Sequence, residues 1–102
     1  MAELRMLQVS LISPAGIGYE GDARSIVAPA YDGKLGILYG HAPMMVLIGE
    51  GELRLRGDGG LRRFHVARGF LQVVENDVTV LAEEVRALEE AEERDEGVLE
   101  PS

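Results

Sequence analysis

His41 and His65 are the only imidazoles in this 102-residue chain, and cysteine is absent. Twenty-four residues separate the two histidines, so the closely spaced pair that opens a zinc site cannot be drawn, and thiolate ligands and nucleophiles are lacking altogether. Ser10, Ser13 and Ser25 stand in strand-like or pre-proline contexts without the strained turn that exposes a nucleophilic hydroxyl. Gly16-Ile17-Gly18-Tyr19-Glu20-Gly21 spells the dinucleotide fingerprint, but that loop must open a helix whose amides face a pyrophosphate. Here Ser25-Ile26-Val27-Ala28 reads as a strand closed by Pro29. Gly33-Lys34 is followed by Leu35 in place of Ser or Thr and lacks the first glycine of a phosphate loop. The residues present predict no reaction centre, no metal site and no cofactor.

What remains is a scaffold, and its charge is unevenly spread. Up to Leu81 there are nine acidic and eight basic residues, whereas Ala82 to Ser102 holds nine acids against Arg86 and Arg94. The net charge of −8 therefore belongs almost entirely to the last fifth of the chain. Such a balance repels a phosphate backbone, which makes nucleic acid an unexpected partner. The longest apolar runs, such as Met44 to Ile48, fall far short of the ~20 residues needed to span a bilayer, so direct membrane insertion is not expected. The absence of cysteine is compatible with a reducing compartment. The opening residues Met1-Ala2-Glu3-Leu4-Arg5 do not resemble a secretory or transit signal. One domain accounts for this length.

Ahead of the acidic segment the pattern has a period of two. Leu7, Val9 and Leu11 alternate with Gln8, Ser10 and Ile12, and Glu52-Leu53-Arg54-Leu55-Arg56 sets leucines on one face and charges on the other. Gly57-Asp58-Gly59-Gly60 reads as a hairpin turn into Phe64 and Val66. Glu75-Asn76-Asp77 reads as another, between Phe70–Val74 and Val78–Leu81. The expected fold is mainly β: a small sandwich or barrel of about eight to ten short strands over residues 6–82, followed by one short helix or an acidic tail over 83–102. Ala82 to Glu96 has helical composition, with Val85 and Leu88 on a thin apolar stripe, so a helix there must dock to persist; a solvated tail is the alternative. Tyr31 to Met45 carries little charge for a connecting segment. Leu35, Ile37 and Leu38 read as core there, while Tyr31, Tyr39 and Met44 suit either core or a contact surface.

The run Gly33-Lys34-Leu35-Gly36-Ile37-Leu38-Tyr39-Gly40-His41-Ala42-Pro43-Met44 resembles the family motif of the epsilon subunit of the F-type ATP synthase, called delta in mitochondria. Leu7–Ser13 with Tyr19-Glu20-Gly21, Ser25–Pro29, Gly51–Leu55, Gly69–Val73 and Val78–Ala82 match its strands in order, so the resemblance spans about Leu7 to Ala82. The chain departs from the motif at Tyr39 and Glu50, where Pro is usual, and at Arg68, where Gly is common. The twenty residues after Ala82 accommodate one helix of the family's usual C-terminal pair, so neither its extended inhibitory arm nor its ATP site is expected.

This resemblance implies a non-catalytic β-sandwich of the central stalk, clamped to the gamma subunit and resting on the membrane rotor ring of c subunits. It implies a peripheral place on the cytoplasmic face of a bacterial plasma membrane, or on a plastid thylakoid. By motif position Ser13, His41, Ala42, Pro43 and Met44 are expected toward gamma, and Tyr31, Asp32, Gly33 and Lys34 toward the ring. Two rival readings remain: a free-standing sandwich binding a small ligand at its glycine-rich loops, and an enzyme using His41.

Overall fold

The computed structural model describes residues 5–88. Eight strands follow one another: β1 (Leu7–Ser13), β2 (Gly16–Ala23), β3 (Ser25–Ala30), β4 (Gly33–Leu38), β5 (Met44–Ile48), β6 (Gly51–Gly57), β7 (Gly60–Val74) and β8 (Asp77–Ala87). They pair in the order β2-β1-β8-β7-β5-β3-β4, with β6 joining β3 to β7. Every pairing is antiparallel except β1 with β8. The strands form a β-sandwich, because β7 and β8 are long enough to belong to both layers. Gly69–Val74 of β7 and Asp77–Ala82 of β8 lie with β5 and β1, whereas Gly60–Val66 of β7 pairs with β6.

The change of layer is visible in burial. Phe64 and Val66 point inward on the first half of β7, Leu71 and Val73 on the second. Those pairs are out of step by one residue, which a strand of strict period two cannot achieve without a local twist. Arg68 supplies it with a φ of 39°, a left-handed backbone that strongly twists the chain. Between the layers lie Leu7, Val9, Leu11, Ile26, Ile37, Leu53, Leu55, Val78 and Val80 with those four side chains, and no polar side chain is buried among the described residues. Full burial of such an aliphatic side chain stabilises the fold by about 1.5–3 kcal/mol.

Several expectations hold and two are corrected. Leucines on β1 and β6 face inward as the alternation predicts, and both hairpin turns lie where their residues place them. At Val74–Asp77 the two central residues, Glu75 and Asn76, have φ of 50° and 67°, the signature of the turn that best matches strand twist. Leu38, read as core, is 63% exposed, while Ile37 is buried; strand alternation turns neighbours to opposite faces. The helix expected from Ala82 does not begin there. Glu84 to Ala87 pair with Phe64 to Ala67, and the Leu88 N–H donates to the Arg63 carbonyl at 2.9 Å. Without that extension the first half of β7 would present an unpaired edge, so the backbone pairing offered by β7 overrides a helical composition. Val85 still docks on the core as expected, but from a strand. The remainder of the expected helical segment lies outside the described residues.

Candidate interaction face

The two loops singled out in the sequence lie at different ends of the sandwich. Tyr31 and Asp32 make the turn between β3 and β4, followed by Gly33 at φ 142°. Tyr31 is 79% exposed, and Lys34, the only lysine, is exposed opposite Pro29. Two backbone bonds seat this turn beside the end of β5: Tyr31 N–H to the Leu47 carbonyl at 3.1 Å and Gly49 N–H to the Pro29 carbonyl at 2.7 Å.

The segment from Tyr39 to Pro43 reverses at Gly40, whose φ is +86°. His41 closes it twice, its N–H donating to the Leu38 carbonyl at 3.1 Å and its Nδ1 to the Ala42 carbonyl at 2.8 Å. His41 is half-buried, Ala42 and Pro43 are exposed, and the Arg5 guanidinium lies 5.8 Å from the centre of the Tyr39 ring. Of the two readings open to Met44, core and contact surface, its partly buried packing fits the first. Its side chain packs against the core, and Met45, 61% exposed, takes the outward position. Ile48 is buried, so positions 44, 46 and 48 share the inner side of β5 by alternation.

Ser13 ends β1 at the opposite end of the layer from His41, beyond the Ile12–Leu81 register. What links the two is the outer face between them. Leu47 pairs with Phe70, Phe70 with Leu81, Leu81 with Ile12 and Ile12 with Ile17, a row across five strands. Leu47, Phe70, Leu81 and Ile17 are between 48% and 61% exposed, and Met45 stands beside the row. Contiguous exposed apolar side chains on a sheet mark a surface that another element covers. Residue-by-residue motif matching missed this row, yet a signal existed. Met44 to Ile48 is apolar at every position, whereas a strand with one wet face alternates; a continuous apolar run indicates cover on both sides.

The other layer presents charge. Glu52 Oε2 accepts from Arg63 Nε at 2.8 Å and from Arg54 Nε at 3.0 Å, and His65 meets Glu50 at 3.2 Å. Partial burial pushes the Glu52 carboxyl up, but hydrogen bonds from Arg63 and then Arg54, with the two positive charges, outweigh it and leave the group below the ordinary glutamate range. A lowered folded-state value adds stability at and above the ordinary range, which fades as pH falls through the folded value. Glu52→Gln is expected to lower stability at neutral pH by under about 1 kcal/mol and to leave stability in acid, where the parent carboxyl is protonated, little changed, so that the acid limb of the stability–pH curve flattens by that amount; an acid limb identical to that of the parent chain contradicts this.

A groove of about 560 Å³ opens between β2 and the β6–β7 turn, lined by Met6, Tyr19, Leu55, Asp58, Leu61 and Arg62 among others. Two of its charged groups are engaged with the protein itself: Asp58 accepts from Arg24 Nε at 2.5 Å, and Arg62 lies over the Tyr19 ring. The groove is therefore a weaker candidate than the apolar face. Among the described residues no group of three His, Asp or Glu side chains is arranged to hold a metal ion.

Comparison with known proteins agrees with the architecture. A family model described as the β-sandwich domain of the ATP synthase delta/epsilon chain matches residues 6–87. The ATP synthase epsilon chain of Hyphomonas neptunium is 41% identical over 86 residues, covering 83% of this chain and 64% of that protein. That of a Synechococcus species is 40% identical over 75 residues, covering 74% and 55%. The chain thus spans little more than half to under two thirds of these relatives. A chain in the structure of the Euglena gracilis mitochondrial ATP synthase (OSCP/F1/c-ring) superposes with a TM-score of 0.76 at 17% identity, over the whole of this chain and 71% of its own length. One from the Tetrahymena thermophila mitochondrial ATP synthase central stalk and c-ring does so with a TM-score of 0.66 at 16% identity, over the whole of this chain and 79% of its own. These two structural matches establish the common fold.

Proposed function

The chain belongs to the delta/epsilon β-sandwich family of ATP synthase, and from that premise we propose that it is a non-catalytic central-stalk subunit linking the gamma subunit to the membrane rotor ring. The observation that carries this reading is the outer apolar row Leu47–Phe70–Leu81–Ile12, framed by Ser13 at one end and His41 to Pro43 at the other. Gamma is the occupant of that face. The exposed Tyr31–Lys34 turn then meets the rotor ring, where the lone lysine suits polar or acidic ring loops. The subunit sits peripherally on the cytoplasmic side of a bacterial membrane or on a thylakoid.

The mechanical demand explains the construction. A part that passes rotation between neighbours must not deform under load, and a close-packed core resists compression. Two long strands shared by both layers tie the gripping face to the rest of the sandwich through continuous backbone. Proton translocation is then coupled to ATP synthesis by transmitted torque, with the chemistry located on other subunits.

Affinity capture of the gamma subunit tests the reading. The unaltered chain is expected to retain gamma, and Phe70→Ser with Leu81→Ser to weaken retention by about a hundredfold, the scale of losing central apolar anchors. The melting temperature is expected to stay within a few degrees, because both side chains are already half exposed. Undiminished capture by the double variant would remove the apolar row as the docking face.

A further inference from the structure

Thirty-six residues separate Gly40 from Asn76 in sequence, yet one side chain joins the loops that carry them. Asn76 lies in the β7–β8 turn at a φ of 67°, a left-handed conformation that Asn adopts more readily than most residues. Its backbone carbonyl accepts the Gln8 N–H at 2.9 Å, and its side-chain Oδ1 accepts the Gly40 N–H at 2.7 Å. The oxygen must face Gly40, since a backbone N–H requires an acceptor. One residue therefore holds the start of β1 and the β4–β5 loop to the same end of the sandwich.

The bonds that His41 makes are local, to Leu38 and Ala42. They shape the loop but do not fix its attitude to the sheet. The Arg5–Tyr39 contact at the same loop is a ring contact near 5.8 Å, without the directionality of a hydrogen bond. Gly40 is also where the backbone reverses, so a bond to its amide acts at the pivot.

We infer that Asn76 is the positioning residue of the His41–Pro43 loop, holding it in its docking shape before gamma arrives. This rests on the gamma-facing role proposed above. A loop already ordered loses less conformational freedom on binding, so the tether raises affinity without touching the partner.

The test uses the full chain with Asn76→Gly, which keeps the left-handed backbone but removes the acceptor, and Asn76→Asp, which keeps both features. Amide hydrogen exchange at Gly40 is expected to quicken about tenfold in Asn76→Gly, the scale of one ordinary hydrogen bond, and to change little in Asn76→Asp. Affinity for the gamma subunit is expected to fall about three- to tenfold in Asn76→Gly. Unaltered Gly40 exchange in Asn76→Gly overturns the tether, whatever gamma does. Faster exchange with unaltered affinity overturns the role in docking. If the parent chain does not bind gamma at all, the functional reading itself has failed, which the exchange measurement distinguishes from failure of the tether.

Discussion

Gly69→Ala is expected to destabilise the chain severely, by about 3 kcal/mol or more. A Cβ built on Gly69 falls inside the contact distance of the Leu81 carbonyl oxygen, 2.7 Å from the Ala82 Cα and 2.8 Å from the Leu81 carbonyl carbon. All three atoms are backbone, so no rotamer change makes room. The pairs Gly69↔Ala82 and Phe70↔Leu81 would have to separate, and they lie where β7 and β8 pass from one layer to the other. Overpacking of an ordinary core site costs about 1–3 kcal/mol because side chains can shift. Here that relief is absent, so the loss lies at or above the top of that range, a large share of the 5–15 kcal/mol typical of a whole domain. Gly36→Ala is the matched control. Nothing lies within 4 Å of its added methyl and its φ is not left-handed, so Ala is expected to be neutral or to stabilise by up to about 1 kcal/mol. Equal denaturation midpoints for the two variants would contradict the corner geometry.

The second large effect separates two adjacent residues. Leu71 is fully buried, and Leu71→Ala is expected to cost about 2–5 kcal/mol through lost burial and the cavity left behind. Phe70, its neighbour, is 48% exposed on the outer face, and Phe70→Ala is expected to cost the isolated chain under about 1 kcal/mol. Thermal denaturation reads the difference, since each kcal/mol moves the midpoint by about 4–8 °C in a domain of this size. Assembly with gamma inverts the ranking for Phe70, whose work on the present reading is outside the sandwich. Comparable melting losses for the two variants would show that Phe70 is part of the core.

Local information carried much of this. Alternation in β1 and β6 identifies the inner face without any knowledge of neighbours, because the two sides of a strand meet different solvents. The Gly57–Gly60 and Glu75–Asn76 turns are likewise legible, since the backbone conformation of a tight turn restricts which residues can occupy it. Ala82 to Ala87 was not legible in this way. Its composition favours helix, and only the open edge of β7, contributed by residues some twenty positions earlier, makes a strand the better outcome. Met44 and Met45 could not be distinguished by motif, since the inward member is decided by the register of β5 on β7.

The sequence by itself determined the β class, the inward faces of the strands, most turns, the concentration of acid beyond Ala82 and the family, for each rests on neighbours within a few positions or on ordered motif matches. Only the tertiary structure decided that β8 runs to Ala87, that Arg68 and Gly69 turn the corner between layers, that Ile12, Leu47, Phe70 and Leu81 share one surface, and that Asn76 reaches Gly40. Those features join segments from distant parts of the chain. Strand pairing is a relation between backbones that leaves no mark in either segment read alone, so the face and its tether emerge when the layers close.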